Sequence, residues 1–225
     1  MNSESLLLTI AILGGTGKEG KGLAYRWAKA GYQVLIGSRN SERAVTAASE
    51  IMELLEGSSS LVGATNLEAA QQADIVVVTV PYSAHRETLE SVKDALKGKL
   101  LIDVTVPLVP PKVTKVQMPV AGSAAQEAKE ILGEDVQVTA AFQSISHELL
   151  FDEDQIDSDV LVTGTSKEAR EEALKLVEAA GLTGWDGGPI ENSVVVEGLV
   201  SVLININRQY GSTHAGIRIT GAKNK

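Results

Sequence analysis

The 225-residue sequence contains no cysteine. Disulfides, thiolate nucleophiles and cysteine-ligated metals are therefore excluded. Aromatic side chains make up only 4 % of it, too few for a run of base-stacking platforms. Cations are in the minority: 20 Lys and Arg face 29 Asp and Glu, a formal net charge of -9. That balance disfavours nucleic acid and anionic membrane surfaces as partners, so an anionic ligand must be held by a few placed cations and backbone N–H groups. Three histidines, His85, His147 and His214, lie too far apart to form a metal-ligand pattern, and no metal is expected. The acidic run Asp152-Glu153-Asp154 with Asp157 and Asp159 lacks the glycine and spacing of a calcium loop and reads as a solvated turn. The apolar stretch Leu6–Leu13 is too short to cross a bilayer. It has no basic flank and runs into a glycine-rich turn, so no signal peptide is expected. A cytoplasmic protein fits these absences.

Apolar residues make up 44 % of the chain, enough for a sizeable core. Apolar β-forming runs alternate with segments of helical spacing. Strands are expected at Leu7–Leu13, Gln33–Ser38, Leu61–Ala64, Asp74–Val80, Leu100–Val104, Val136–Ala141, Asp159–Thr163 and Leu182–Asp186. Helices are expected at Lys18–Ala30, Ser41–Glu56 behind a serine cap, Asn66–Ala73 with Asn66 as its cap, Ser83–Leu96, Ala124–Leu132 and Ser166–Ala180. A long apolar helix follows, from Pro189 or Glu191 to about Tyr210. Four of the six prolines fall between Thr105 and Pro119, where a long loop at a sheet edge is expected. Alternating strand and helix predicts an α/β fold: a doubly wound parallel sheet of Rossmann type, with a smaller C-terminal α/β segment ending in the long helix. A soft boundary falls near Gly164, with residues 1–164 binding a dinucleotide and residues 165–225 completing a second site and a dimer contact.

Gly15-Thr16-Gly17-Lys18-Glu19-Gly20 matches G-x-G-x-x-G. The motif alone is a weak signal, but here it follows a predicted strand and opens a predicted helix, as pyrophosphate binding requires. The first glycine permits the tight turn, the second lets backbone approach the phosphates, and the third lets helix and strand pack closely. The phosphates then sit on the helix N-terminus. An NAD site would usually carry Asp or Glu at the end of the second strand. This chain has Gly37-Ser38-Arg39, with Arg43 one helical turn on. A hydroxyl and two guanidiniums suit a 2′-phosphate, which selects NADP(H). Val80, Pro81 and Tyr82 end the fourth strand beside the expected nicotinamide. Tyr82 can face the crevice or pack under the following helix.

These residues carry a family resemblance over nearly the whole chain. The sequence resembles the NADPH-dependent coenzyme F420 reductases, in Gly14–Gly17 with Gly20–Ala24, Gly37–Arg39, Val80-Pro81, the loop Val104–Pro111 and Gly122–Ala125. The likeness continues in Gly187–Pro189 with Asn192-Ser193, Ile206–Arg208 and Gly216–Gly221. It implies hydride transfer between NADP(H) and coenzyme F420, an 8-hydroxy-5-deazaflavin. It implies that Thr16, Gly17, Lys18 and Glu19 wrap the pyrophosphate and that Ser38, Arg39 and Arg43 hold the 2′-phosphate. It also places the loop after the sixth strand, Phe142–His147, between the two rings. A histidine is common in the family where this chain has Gln143, a small residue where it has His147, and an apolar residue where it has Glu19.

Hydride transfer between two bound rings needs position and field more than side-chain chemistry. Gln143, Ile145 and His147 are ring-positioning candidates, with Gln143 and the N–H groups of Ser144–His147 as donors to the reduced ring. Arg208 and Arg218 are candidates for the anionic tail of F420, or for a structural ion pair. The apolar face Val195, Leu199, Val202, Leu203 and Ile206 is expected to form a homodimer. Two other readings share the dinucleotide site: an NADPH-dependent reductase of an imine, ketone or ferric chelate, and a non-catalytic NADPH-sensing module. A second, ring-sized cavity facing the crevice would speak against the sensor.

Overall fold

The computed structural model describes residues 8–57, 59–152 and 156–222. The expected strand ahead of Thr9 therefore lies partly outside the described residues, as do Glu153 and Asp154. Eight strands form one sheet in the order β3-β2-β1-β4-β5-β6-β7-β8. They are β1 (Thr9–Leu13), β2 (Gln33–Ser38), β3 (Leu61–Thr65), β4 (Ile75–Val78), β5 (Leu100–Asp103), β6 (Gln137–Ala140), β7 (Asp159–Gly164) and β8 (Thr183–Pro189). Seven α-helices accompany them: α1 (Lys18–Lys29), α2 (Ser41–Leu54), α3 (Asn66–Gln72), α4 (Tyr82–Val92), α5 (Ala124–Leu132), α6 (Lys167–Ala179) and α7 (Ser193–Tyr210).

Alternation along the strands explains the three layers. Ile10, Ile12, Val34, Ile36, Val77 and Ile102 turn to one face, against α1, α2 and α6. Ala11, Leu13, Leu35, Val76, Val78 and Leu101 turn to the other, against α3, α4 and α5. Buried on both faces, these strands need no polar alternation. The chain reverses direction across the sheet between β1 and β4, and ligands of such sheets bind outside the carboxyl ends of the strands at that point.

The structure corrects several expectations. The sheet is not wholly parallel: β6 and β7 pair antiparallel, and parallel pairing resumes between β7 and β8. Among the described residues, the connection between them holds only a turn of 3-10 helix at Leu149–Phe151 and no crossover helix, so β7 returns beside β6 in the opposite sense. The proline-rich loop leaves β5, a strand flanked by β4 and β6, so it lies over the carboxyl ends and not at a lateral edge. Asn40, not a serine, caps α2, its side chain accepting the Arg43 N–H. Thr65 caps α3 in a reciprocal box with Glu68, and Asn66 is the first helical residue.

With the 3-10 turn before it, α7 (Ile190–Tyr210) is long and apolar enough to cross a membrane by length and composition. Its inward side is nevertheless polar in places. Ser193 Oγ lies 2.6 Å from Thr163 Oγ1, and Glu197 and Ser201 are buried. Val195, Val202 and Ile206 are exposed as expected, whereas Leu203 of the same expected face points inward and is buried.

Candidate active site

The turn after β1 is built from close approaches. Gly15 donates its N–H to Ile12 and Gly37 carbonyls, which locks the turn against β2. A Cβ on Gly20 would lie 2.7 Å from Gly15 Cα and 2.8 Å from Thr79 Oγ1, so helix α1 meets the strand only because that side chain is absent. Gly17 is the N-cap of α1 and no side chain caps it, which leaves first-turn N–H groups for an anion.

These elements wall a cavity of about 230 Å³. Thr16 and Gly17 line it on the helix side, Ser38 and Arg39 at the end of β2, Arg43 in the first turn of α2, and Val80 and Pro81 after β4. Ser38 is nearly buried while Arg39 and Arg43 are exposed, and neither guanidinium has an ion pair among the described residues. A buried hydroxyl beside two uncommitted cations is the donor set a phosphate monoester needs. Gly15 and Gly20 sit behind the wall, buried, and Lys18 is exposed beside the turn.

Glu19 is turned inward. One carboxyl oxygen is buried with no partner, and burial pushes its pKa up to about 8. The group is therefore neutral at and below neutral pH, so it places no negative charge beside the pyrophosphate site there. Tyr82 faces away from the crevice. Its hydroxyl donates to Glu127 at 2.7 Å, and its ring stacks on His85 with centroids 6.1 Å apart.

A second cavity, about 430 Å³, lies between the loop Gln143–Glu148, helix α7 and the segment after it. Gln143, Ile145 and His147 line it from the loop, and Arg208 from α7 with Val200, Leu203 and Asn207. Phe142 opens the loop at φ 72°, a left-handed conformation that costs a residue with a Cβ on the order of 1–3 kcal/mol. It is held there by burial and by an edge contact to Trp27, with centroids 5.7 Å apart. This kink turns Gln143 back onto the sheet, where its Nε2 donates to the Asp103 carbonyl at 2.7 Å. Its Oε1 is buried with no partner. The side chain thus presents an acceptor, where a donor was expected.

His214 Nδ1 lies 3.2 Å from Ser146 Oγ, so the segment after α7 closes one side of the cavity. Arg218 is not there: its Nη1 bonds Asp157 at 2.6 Å and both side chains are exposed. Asp159 is not a solvated member of an acidic turn. Its buried carboxylate accepts the Trp185 indole N–H and the Ile219 N–H at 2.8 and 2.7 Å. Among the described residues no cluster of three His, Asp or Glu could hold a metal.

Charged residues that the sequence left unremarked meet beneath the crevice. Asp103 ends β5, fully buried, 2.7 Å from the equally buried His85 Nε2. Burial opposes charging of His85, but the Asp103, Glu127 and Glu197 carboxyls outweigh it and hold the imidazole above its usual range. Glu197 reaches in from α7. Burial and Asp103 push its pKa up to about 8 despite two backbone N–H donors. The visible signal was a lone charge inside each apolar run, Leu-Leu-Ile-Asp and Val-Val-Val-Glu.

The family described as NADP oxidoreductase, coenzyme F420-dependent, matches residues 9–107. The chain is 43 % identical over 221 residues to the F420-dependent NADP reductase of Methanothermobacter marburgensis, covering 95 % of this chain and 98 % of that one. It belongs to the F420-dependent NADP reductase family. A second member, from Methanocaldococcus jannaschii, is 37 % identical over 221 residues, covering 95 % of this chain and 98 % of that one. Among solved structures, a putative F420-dependent NADP reductase from an Arthrobacter species superposes with TM-score 0.79 at 24 % identity, covering 95 % of this chain and 99 % of that one. An imine reductase from Myxococcus stipitatus in complex with NADP+ shares the fold with TM-score 0.58 and 19 % identity, covering 91 % of this chain and 61 % of that one.

Proposed function

We propose that this protein transfers a hydride between NADP(H) and coenzyme F420. The observation that carries the reading is the presence of two distinct cavities, one with a phosphate-binding donor set and one large enough for a ring. One is lined by a hydroxyl and two free guanidiniums, and the other is ring-sized and lined by Gln143, whose Nε2 donates to the Asp103 carbonyl. A module that only sensed NADPH would have no use for the second. NADPH supplies the hydride and, with one proton from water, yields reduced F420 and NADP+. The reverse reaction runs over the same barrier.

The protein's part is placement. Gly15, Thr16, Gly17 and Gly20 bring backbone up to the pyrophosphate, and Ser38, Arg39 and Arg43 select the 2′-phosphate. Lys18 lies beside the phosphates, and a neutral Glu19 avoids repelling them. Val80 and Pro81 bound the nicotinamide. Gln143, Ile145 and His147 hold the rings within transfer distance, where orientation lowers the barrier most. The free Oε1 of Gln143 suits a ring N–H or a carboxamide NH₂. Arg208 reaches the anionic tail of F420.

Residues 1–164 carry the dinucleotide site, and residues 165–225 complete the second site. The exposed Val195, Val202 and Ile206 of α7 form the homodimer contact, since such a stripe favours burial against a second copy. The acidic, cysteine-free chain works in the cytoplasm without nucleic acid or membrane as a partner.

The deciding experiment mixes purified protein, NADPH and F420 and follows the deazaflavin absorbance. Bleaching that depends on protein is expected. Intact NADPH binding with no bleaching removes the reading.

A further inference from the structure

His85 and Asp103 form a fully buried pair that neither cavity exposes. A buried ion pair is a poor source of stability compared with apolar residues of the same volume, so its presence asks for another reason. Asp103 commits its carboxyl and its carbonyl. Oδ2 meets His85 Nε2 at 2.7 Å and Oδ1 accepts the Thr105 N–H at 2.9 Å. Its carbonyl accepts the Ala141 N–H at 3.2 Å and Gln143 Nε2 at 2.7 Å. Thr105 in turn donates its hydroxyl to the Val80 carbonyl at 3.4 Å. One aspartate is thereby bonded toward a wall of the first cavity at Val80 and toward the rim of the second at Gln143. His85, stacked on Tyr82, braces it from α4.

We propose that the His85–Asp103 pair is a positioning device that fixes Gln143 relative to Val80, and so sets the gap between the two ring sites. The ligands named here rest on the hydride-transfer reading above, whereas the placement of Gln143 does not. His85 acts through Asp103 and touches neither cavity. Without its N–H, the buried carboxylate keeps only the Thr105 donor and must turn, admit water or take up a proton. Each response moves the carbonyl that holds Gln143.

The test compares His85→Leu, which removes the donor, with His85→Gln, whose amide nitrogen reaches the place of Nε2 without a charge. His85→Asn, polar but too short, replaces the leucine variant if that one does not fold. The first readout is the Gln143 side-chain amide in NMR spectra of the full chain, assigned with Gln143→Glu. In the unaltered protein its bond to Asp103 should shift it and protect it from solvent exchange. His85→Leu or His85→Asn should lose that protection, and His85→Gln should keep it. The second readout is single-turnover hydride transfer to F420. His85→Leu or His85→Asn should slow it about tenfold or more at unchanged NADPH affinity, and His85→Gln should recover most of the rate. A merely structural role would lower the Tm of His85→Leu and leave the Gln143 amide and the rate of the folded protein as they were, and that result overturns the proposal. If the unaltered protein does not reduce F420 at all, the functional reading fails, and the Gln143 amide still decides the positioning role.

Discussion

Glu197 of α7 caps the N-terminus of α5, its carboxyl oxygens taking the Ala124 N–H at 2.7 Å and the Ala125 N–H at 3.1 Å. The helix that walls the second cavity is thus tied to the nucleotide-binding sheet by a side chain that is 1 % exposed. Glu197→Ala would leave two buried donors unpaired, a loss of about 2–4 kcal/mol at roughly 1–2 for each. Denaturant unfolding should show that loss, and KM for the second substrate should rise as α7 loosens. Unchanged stability would mean that water replaces the carboxyl at no cost.

Glu19 gives the clearest pH dependence. Its pKa in the folded chain, raised to about 8 by burial, lies well above the 4.5 of a free glutamate carboxyl. The folded state therefore holds a proton that the unfolded chain releases in between. The relative stability is complete below about pH 4.5 and is lost as pH rises through about 8. Glu19→Gln removes this loss. Its Tm should equal that of the unaltered protein near pH 4.5 and exceed it by several degrees at pH 8.5. NADPH binding should follow the same group, weakening above pH 8 in the unaltered protein and less in the variant. Parallel melting curves across the range would show Glu19 to be solvated.

Arg39 tests the adenosine end. Arg39→Ala should weaken NADPH by about 10- to 100-fold, the worth of one charge-assisted pair with phosphate, and leave NADH within about twofold. Arg43→Ala should act in the same direction. Titration by cofactor fluorescence measures both, and equal losses for NADH and NADPH would place the 2′-phosphate elsewhere.

The dinucleotide half was legible because its signals are local. The bounds of β2 and α5 coincide with the expected ones, and Gly15–Gly20 with Ser38-Arg39 assemble as the periodicity requires. What the sequence did not show depends on long-range pairing. The reversal of β7 beside β6 follows from how the chain after Phe142 turns back, and no residue pattern encodes that return. Glu127 and Glu197 sit in helices where a carboxylate ordinarily reads as a solvated face, and Asp103 ends a strand like many others. Only the packing of α4, α5 and α7 around β5 brings them together with His85. For Arg218 the structure shows the ion-pair alternative: its motif marks a segment that pairs with β7, where Ile217 accepts the Asp159 N–H at 2.7 Å, and its guanidinium meets Asp157.

Arg208 and Arg218 therefore part company in place. Arg208 lines the second cavity, whereas Arg218 spends its guanidinium on Asp157. Arg208→Ala should raise KM for F420 by about tenfold, as loss of one charged contact to an anionic tail predicts, and shorten the benefit of a longer polyglutamate tail. Arg218→Ala should leave KM unchanged and cost at most about 1 kcal/mol of stability, since the pair it breaks is exposed. Raising ionic strength should mimic the first variant and not the second, because a contact to a mobile charged tail is screened by salt. A KM that rises equally in both variants would move the tail of F420 onto the strap formed by residues 216–219, and with it the orientation of the deazaflavin ring in the cavity.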